Sequence, residues 1–464
     1  MSVQTSAPRS PIDGLADSRP RTFFGHPIGL AYLAFTEAFE RFSYYGMQAL
    51  VVLYMVDQLL RPGHAEHVLG LVGLRRGVEG VFGPLSIQAF SSQIFGIYTA
   101  LIYVTPVFGG VLGDRWLGRR LAVTLGALIM AAGHFMMAFE PSFLLALGCL
   151  VLGGGLIKGN IACQVGQLYA PGDGRRDDAY QVFVASINMG AIASPLVCGT
   201  LGEVLGWHYG FAAAGVGMLV SIGVYVAGYP HLPPETAGRS KHVAPPPVPL
   251  TREDWRAVIA IVCMLPLFAC VMVPNNQIFN VGLLWARKYL DLNVFGLRMP
   301  VTWTQSIDSV LTVVGLGLVV AGWRWLRSRG VAPDELTKTA LGAGLAITAA
   351  VVQAALSLAA DQTGWKIPIP VYMIVSCIIV AAYANYFPTG YAIVSRAAPP
   401  QLGAAMLGVF MLFLVGTNFI VGWMGSYYEK LGAPLFWLAH AIFPLITLLM
   451  LTVFRRPLRS ALRL

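Results

Sequence analysis

Long apolar runs separated by short polar segments follow one another along almost the whole chain. A helix that crosses a lipid bilayer needs about 20 mostly apolar residues. The pattern therefore predicts an all-α membrane protein. Twelve segments are long enough, and they lie near residues 28–57, 88–112, 120–139, 142–168, 178–206, 209–228, 253–286, 301–326, 334–359, 370–397, 402–428 and 433–454.

The longest polar interruption, residues 229–252, contains seven prolines and separates the first six predicted helices from the last six. Two six-helix halves resemble the layout of the major facilitator transporters. A second long connection, residues 58–87, is rich in glycine, and its pattern predicts no definite fold. We expect an N-terminal tail at residues 1–27, an N-terminal bundle at 28–228, a Pro-rich linker at 229–252, a C-terminal bundle at 253–454 and a basic tail at 455–464.

Composition and charge agree with a membrane location. The 464 residues are 56% hydrophobic and 11% charged, with a mean hydropathy of +0.67, whereas a soluble domain needs roughly twice that share of charge. The net charge of +9 does not indicate nucleic-acid binding, because the basic residues cluster at alternate helix ends. If both termini are cytoplasmic, the inner segments hold 21 Lys and Arg residues and the outer loops hold eight. This asymmetry predicts cytoplasmic N- and C-termini, in what we expect to be a bacterial inner (plasma) membrane.

Motifs of enzymes and metal sites are missing from the sequence. No Walker loop, HExxH motif or GxSxG motif in a suitable context is present. The six cysteines form no CxxC pair, and the histidines show no metal-ligand spacing. The sequence therefore predicts a protein that is not an enzyme and that needs no metal or other cofactor.

The first predicted helix carries three charged residues where the bilayer centre is expected. A charge at that depth costs about 2.5–3.5 kcal/mol on insertion scales, so it normally faces a cavity or a partner. Helical spacing places Glu37, Glu40, Arg41, Tyr44 and Tyr45 on one face. Because one guanidinium cannot neutralise two carboxylates, at least one glutamate needs another cation or binds a proton near neutral pH. A structural ion-pair cluster that holds helices together is the alternative.

Other charged residues extend this pattern. Lys158 follows the glycines at 153–155, which permit close helix approach and could bring the lysine towards the first helix. Asp308 is a further acid inside a predicted helix. The segment 109–120 is rich in glycine and basic residues, and it predicts either an inert loop or a salt-bridge latch that breaks and re-forms during transport. The latch residues are Asp114, Arg115 and Arg119.

Several of these segments resemble the proton-dependent oligopeptide transporter (POT) family of the major facilitator superfamily. The segment 110–120 is similar to the signature loop of the superfamily. The resemblance to the family is carried by Glu37-x-x-Glu40-Arg41-Phe42, by Lys158-Gly-Asn160 with Gly166-Gln167-Leu168-Tyr169, by Phe183-Val-Ala-Ser-Ile187-Asn188-Met-Gly190, and by Ala398-Pro399-Pro400 with Met406-Leu407-Gly408. It extends over both halves and is stronger in the first.

The resemblance implies roles for individual residues. Glu37 and Glu40 are expected to couple transport to protons; Asp308, which is not part of the resemblance, is predicted as a third proton-coupling residue. Arg41 and Lys158 are expected to bind the carboxylate of the substrate and to exchange salt bridges with the two glutamates. The remaining substrate-binding residues that it implies are polar: Tyr44, Tyr45, Tyr98, Tyr103, Asn188, Asn280 and Tyr383.

The sequence departs from the family where the amino group of a peptide is expected to bind. The family has a glutamate shortly before a proline in helix 10, but residues 382–388 contain no acid, and the acid of helix 7 is also missing from 274–277. Conversely, Asp308 stands where the family more often has asparagine. Either Asp308 supplies the missing charge and the substrates are ordinary di- or tripeptides, or the substrate lacks a free amine, as an acylated peptide or an anionic metabolite does.

The function expected from these observations is secondary active transport by alternating access. The partners are protons, a small peptide or peptide-like carboxylate and the lipid bilayer, with no role for nucleic acid. Symport into the cell is the favoured direction. A proton-coupled exporter of a drug or peptide-like natural product is the alternative, because one fold supports both directions.

Overall fold

The computed structural model describes residues 22–170, 172–234, 249–294 and 296–464. The expected N-terminal tail and linker therefore lie largely outside the described residues. Two short antiparallel hairpins occur within the described part. They are formed by β1 (Thr22–Phe23) with β2 (His26–Pro27) and by β3 (Asn293–Val294) with β4 (Leu297–Arg298).

The rest of the fold is helical, because a backbone inside lipid must satisfy its own hydrogen bonds. The first half contains α1 (Gly29–Tyr54), α2 (Leu71–Phe82), α3 (Ile87–Leu112), α4 (Arg119–Met136), α5 (Phe143–Lys158), α6 (Ile161–Gln167), α7 (Arg175–Ser194) and α8 (Trp207–Ala227). Single π-helical turns continue three of these helices, at Met55–Leu59, Gly113–Leu117, Pro195–Gly199 and Leu201–Leu205. Short 3₁₀ turns lie at Ala65–His67, Glu140–Ser142 and Tyr229–His231.

The second half follows the same plan. It contains α9 (Arg252–Asn276), α10 (Val281–Tyr289), α11 (Trp303–Ser328), α12 (Glu335–Thr363), α13 (Ile369–Ala397), α14 (Gly403–Met411), α15 (Phe413–Gly425), α16 (Tyr428–His440), α17 (Ile442–Val453) and α18 (Arg455–Ala461). A 3₁₀ turn at Gln277–Phe279 joins α9 to α10. The α16 segment bends at Gly432, whose φ of 71° suits glycine.

Each of the twelve predicted segments contains at least one helix. Among the described residues, ten helices are long and apolar enough to cross a membrane. The segments α1 and α4 are not among those ten, and α1 carries the three mid-helix charges. The all-α membrane fold is confirmed, whereas the count of twelve spans, the domain bounds and the cytoplasmic position of the termini stay predictions.

Glycines allow the helices of the first half to pack backbone against backbone. A Cβ added at Gly109 on α3 would lie 2.2 Å from the carbonyl oxygen of Gly155 on α5. On the other face of α5, a Cβ at Gly153 would lie 2.5 Å from the carbonyl oxygen of Gly126 on α4. The glycine run before Lys158 therefore allows α5 to pack closely against both α3 and α4.

The connection at residues 58–87 has an ordered structure that the sequence pattern does not predict. It contains the helix α2, which is held to the start of α3 through one carboxylate. Glu79 accepts hydrogen bonds from Arg75 Nε (2.9 Å) and from the backbone N–H of Leu85 (3.1 Å). These bonds, the one from Arg75 foremost, lower the pKa of Glu79.

Candidate functional site

A cavity of about 510 Å³ lies between the two halves. Helices α1, α3, α5 and α7 line it from the first half, and α9, α11, α13 and α15 line it from the second. Nine of the predicted site residues contribute to its lining: Glu37, Arg41, Tyr44, Tyr45, Tyr103, Lys158, Asn188, Asp308 and Tyr383. The structure thus brings together residues that are far apart in the sequence, such as Glu37 and Tyr383, which are separated by 346 positions.

The charged face of α1 forms a compact buried cluster. The Nε of Arg41 lies 3.0 Å from Glu37 Oε1 and 2.5 Å from Glu40 Oε2. All three residues are buried, and Glu40 has no exposed surface. Arg41 also packs over the ring of Tyr44, with 5.4 Å from its Cζ to the ring centre. One guanidinium therefore faces two carboxylates in a region shielded from water, as the helical spacing predicts.

Lys158 faces the same cavity from α5 but has different neighbours. Its Nζ lies 4.6 Å from the ring centre of Tyr44 and 5.3 Å from that of Tyr103, so two aromatic faces attract its charge. In the part of the chain that the structure describes, no carboxylate lies within 4.0 Å of Lys158. The lysine therefore reaches α1 through Tyr44 and not through either glutamate.

Asp308 supplies an acid from the opposite half. The hydroxyl of Tyr372 on α13 donates a 2.6 Å hydrogen bond to Asp308 Oδ2. The second carboxylate oxygen, Oδ1, is buried beside Ser376 and has no well-formed hydrogen bond to any described residue. Glu37 and Asp308 are the two acids among the described residues that line the cavity. Tyr372 thus orients one oxygen of Asp308, and the other lies beside Ser376.

Amide side chains occupy the region of α9 where the family resemblance leads one to expect an acid. Asn275 and Asn276 line the cavity, together with Asn418 from α15. The Nδ2 of Asn276 lies 3.4 Å from Oδ1 of Asn418, which accepts a weak hydrogen bond. The second half therefore presents neutral hydrogen-bonding groups on α9 and α15 and a negative charge on α11.

Three of the predicted proton-coupling and substrate-binding residues lie outside the lining. Glu40 and Tyr98 are buried behind it, beside the charged face of α1. The prediction that Asn280 lines the substrate pocket disagrees with the structure, because Asn280 is fully buried where the halves meet. Its Oδ1 accepts a hydrogen bond from Ser92 (3.1 Å), and its Nδ2 donates to the carbonyl of Val421 (3.4 Å). The amide of Asn280 therefore makes hydrogen bonds to neighbouring helices and does not face the cavity.

Sequence reasoning missed several polar residues of the lining. Asn275 and Asn276 stand in a polar run inside an apolar segment, which was a usable signal for the cavity. The others carry no such signal, because a single hydroxyl or amide in a helix is common at packed interfaces. The missed residues are Gln48, Thr99, Asn275, Asn276, Ser309, Thr312, Ser376, Tyr391 and Asn418.

The predicted latch lies at the inner end of α3 and α4. Arg119 Nε donates a 2.8 Å hydrogen bond to Asp114 Oδ1, while Arg115 is exposed. The glycines of this segment serve helix packing, since a Cβ at Gly113 would lie 2.0 Å from Oδ1 of Asn160. Arg120 instead donates to the carbonyl oxygens of Leu232 and Pro233, both at 2.6 Å, and so ties α4 to the start of the linker.

The two halves are closed at the opposite end. Arg287 pairs with Asp57, and Ser86 donates to Glu429. Glu203 accepts from the backbone N–H groups of Val301 (3.0 Å) and Thr302 (2.9 Å) at the start of α11. These residues lie at the helix ends that the charge distribution predicts to be outside.

At the inner end, no hydrogen bond or ion pair in the described ranges joins the two halves, whereas such bonds do join them at the outer end. The chain therefore adopts an inward-facing conformation under the predicted topology.

Comparison with known proteins identifies the family. A sequence profile of the POT family matches residues 120–245 and 247–434, which is more than half of the chain and covers parts of both halves. The chain belongs to the POT family. This confirms the family resemblance, and the motif around Lys158 lies within the matched residues.

Named relatives within the POT family are bacterial. A peptide transporter of Yersinia enterocolitica is 27% identical over 88% of this chain and 89% of its own length. A di-/tripeptide transporter of Lactococcus lactis is 38% identical over 44% of this chain and 38% of its own length. A solved structure of a peptide transporter POT in complex with sulfate has a TM-score of 0.78 and 26% identity, and covers 95% of this chain and 97% of that one. The chain is therefore an integral membrane protein related to transporters.

Proposed function

We propose that this POT family member is a proton-coupled symporter of di- and tripeptides or peptide-like carboxylates, and that it works by alternating access. The observation that carries the proposal is the family match, which extends across both halves. Between those halves lies a cavity with cations on the wall of the first half and an acid on the wall of the second. The named relatives transport peptides, and one neighbouring solved structure holds alafosfalin.

The cations of the first half are suited to bind the carboxylate of the substrate. Lys158 has no carboxylate partner within 4.0 Å among the described residues, so it can accept a substrate anion without first breaking an ion pair. Arg41, by contrast, is held by both glutamates. We propose that Lys158 makes the first contact and that Arg41 joins once a glutamate is neutralised.

Glu37 and Glu40 are the proposed proton-coupling residues. A proton that enters from outside and binds one of them removes a negative charge from the cluster. Arg41 then has one remaining carboxylate partner and can turn towards the substrate, which makes substrate binding and proton binding mutually favourable. Return of Arg41 to both glutamates after release completes the cycle. The tyrosines at 44, 45, 98, 103 and 383 and Asn188 are proposed to support this exchange and to hydrogen-bond the substrate.

Asp308 is the proposed partner of the substrate amine. Asp308 lines the cavity from the half opposite Lys158, as expected of a site that holds the two ends of a zwitterion. Tyr372 orients one of its carboxylate oxygens. The competing proposal, a substrate without a free amine, draws support from the amides at 275, 276 and 418, which can bind a neutral acyl group.

Further assignments follow from the same comparisons. The relatives are transporters, so we propose that the chain has no enzymatic activity and requires no cofactor. An export function is not favoured, because the relatives that have a named substrate are peptide transporters. We also propose location in a bacterial inner (plasma) membrane, two bundles at 28–228 and 253–454, and a cytoplasmic latch at Asp114, Arg115 and Arg119.

The test is uptake by purified protein in liposomes under an inward proton gradient. Labelled di- and tripeptides are compared with their N-acetylated forms. Gradient-dependent accumulation of the free peptides is the expected result, with Asp308 as the amine partner. Preference for the acetylated peptides would replace that substrate class by anionic acyl peptides. Transport of neither would reject the proposed function.

A further inference from the structure

A second cavity, of about 810 Å³, lies at the inner end of the second half, away from the central site. It is enclosed by the first turns of α9, the end of α17 and the terminal helix α18. Its walls are mainly apolar, from Ile259, Leu267, Met450, Phe454 and Leu458. Ile259 and Phe454 are 57% and 49% exposed, so the apolar wall of the groove is not covered by the rest of the described chain.

The length of the groove fits one lipid chain. It extends along α9 from Arg256 to Leu267, and eleven residues of α-helix rise about 16 Å. One leaflet of hydrocarbon is about 15 Å thick, half of the bilayer core. Trp255, which is 53% exposed beside the entrance, belongs to the residue type that marks the boundary between lipid and water.

The entrance of the groove is basic. Residues 249–256 and 454–464 together carry six arginines and two acidic residues. Asp254 is engaged within the protein, because it accepts from Thr251 (2.8 Å) and lies 3.0 Å from Arg463. Glu253 is exposed at the rim and lies 3.8 Å from Arg463. Arg256 is exposed at the rim, and none of the described carboxylates lies within 4.0 Å of it. The rim therefore offers a positive charge directly above an apolar channel.

We propose that this groove binds an anionic phospholipid of the inner leaflet. One acyl chain lies along α9 between Ile259 and Leu267, and the phosphate group meets Arg256 with Ser460 beside it. The combination of a basic rim and an apolar channel one leaflet deep favours this occupant. A soluble anion would leave the apolar channel unfilled, and a lipid without net charge would leave the charge of Arg256 unneutralised. The lipid braces α18 against α9. This inference is independent of the transported substrate.

Native mass spectrometry of the purified protein tests the proposal. Phosphatidylglycerol and phosphatidylcholine with the same acyl chains are each titrated into detergent-solubilised protein. We expect bound phosphatidylglycerol to exceed phosphatidylcholine, and Arg256→Gln to weaken phosphatidylglycerol binding about fivefold, which corresponds to about 1 kcal/mol for one basic residue at a membrane surface. Cys263→Trp, which fills the channel wall, should reduce binding of that lipid as well.

Two matched variants lie outside the groove. Arg298→Gln removes an exposed arginine at the other end of the molecule, and Cys377→Trp enlarges an exposed cysteine on α13. Both should bind phosphatidylglycerol like the wild type, and thermal unfolding checks that all four variants are folded. Equal binding of the two lipids, insensitivity to Arg256→Gln and Cys263→Trp, or competition by inorganic phosphate alone would overturn the proposal. A protein dimer that is lost in Cys263→Trp would assign the groove to a second copy instead.

Discussion

Arg41 and Lys158 are both cations on the first-half wall of the cavity, yet their surroundings differ. Arg41 is shared between two buried carboxylates, and Lys158 lies between two tyrosine rings. An aromatic face attracts a cation but does not neutralise its charge, so Lys158 keeps most of its capacity to attract an anion. At the residue scale, the proposed order of anion binding is therefore Lys158 first and Arg41 second.

Replacing Lys158 tests that order. Lys158→Ala should lower proton-driven peptide uptake by at least about tenfold, because a hydrogen bond to a charged group contributes about 1.5–3 kcal/mol. The measurement is the initial rate of uptake into liposomes. Lys338→Ala is the matched control, since Lys338 also lies over an aromatic ring, that of Trp323, but outside the central cavity. Full proton-driven uptake by Lys158→Ala would show that the charge-exchange scheme is wrong.

Asp308→Asn separates the two substrate classes. The change keeps the shape of the side chain and removes its charge, so uptake of peptides with a free amine should fall by about tenfold or more, while N-acetylated peptides should be unaffected. The measurement is the ratio of uptake rates for the two forms of one peptide. Asp361→Asn is the control, because Asp361 also accepts from a tyrosine, Tyr289 at 2.9 Å, outside the central cavity. An unchanged ratio in Asp308→Asn would remove Asp308 from the amine site.

The individual side chains show where sequence reasoning succeeds. Charges in a lipid-spanning helix are costly, so their mere presence at 37, 40, 41, 158 and 308 predicted a cavity, and four of the five line it. Neutral polar residues cost much less energy inside a membrane helix, so their presence does not indicate a cavity. Asn280 was assigned to the pocket although it bonds Ser92 at the junction of the halves, while Asn418 lines the pocket and was missed. Side-chain direction at a helix break depends on backbone angles that the sequence pattern does not encode.

At the scale of elements, the helix α5 depends on glycines at its contacts with α3 and α4. A Cβ at Gly155 would lie 2.6 Å from the Cβ of Thr105 and 2.9 Å from the backbone carbon of the same residue. Backbone cannot move aside as a side chain can. Since Lys158 stands one turn further along α5, any shift of this helix also moves the cation in the cavity.

Gly155→Ala should therefore destabilise the protein. We expect a loss of about 1–3 kcal/mol, the usual cost of overpacking, seen as a lower unfolding temperature in detergent. Gly148→Ala on the same helix is the control, because nothing lies within 4 Å of a Cβ added there, and it should leave the unfolding temperature unchanged or raise it. Equal unfolding temperatures for the two variants would show that α5 can withdraw from α3 without cost.

The helices also show what the apolar pattern can and cannot predict. Long apolar runs predict helices well, because lipid leaves the backbone few alternatives. Residues 58–87 lack such a run, and the helix α2 within them is held by the bonds of Glu79 to Arg75 and Leu85, which no periodicity reveals. The glycines of α5 predict close helix approach towards the first helix, whereas their closest contacts are with α3 and α4, since glycine permits approach on any face.

At the scale of the whole molecule, the two halves touch backbone to backbone where α3 meets α15. A Cβ added at Gly96 on α3 would lie 2.5 Å from the Cα of Gly422 on α15, so the halves can pivot there with little side-chain obstruction. Beyond this contact, Asp57–Arg287 and Ser86–Glu429 join the halves at the outer end. Alternating access requires those contacts to separate in each cycle.

Joining the halves at the outer end should therefore stop transport. In a variant whose six native cysteines are replaced, Ser86→Cys with Glu429→Cys is treated with a short thiol-specific cross-linker. Cross-linking should abolish peptide uptake in liposomes, and each single-cysteine variant should keep it under the same treatment. His64→Cys with Glu140→Cys is the matched pair, because His64 Nδ1 and Glu140 Oε1 are 2.8 Å apart within one half, and cross-linking them should leave uptake intact. Uptake by the cross-linked 86–429 variant would mean that the halves do not part at this end, and an outward-open state would then have to form by local movement of single helices.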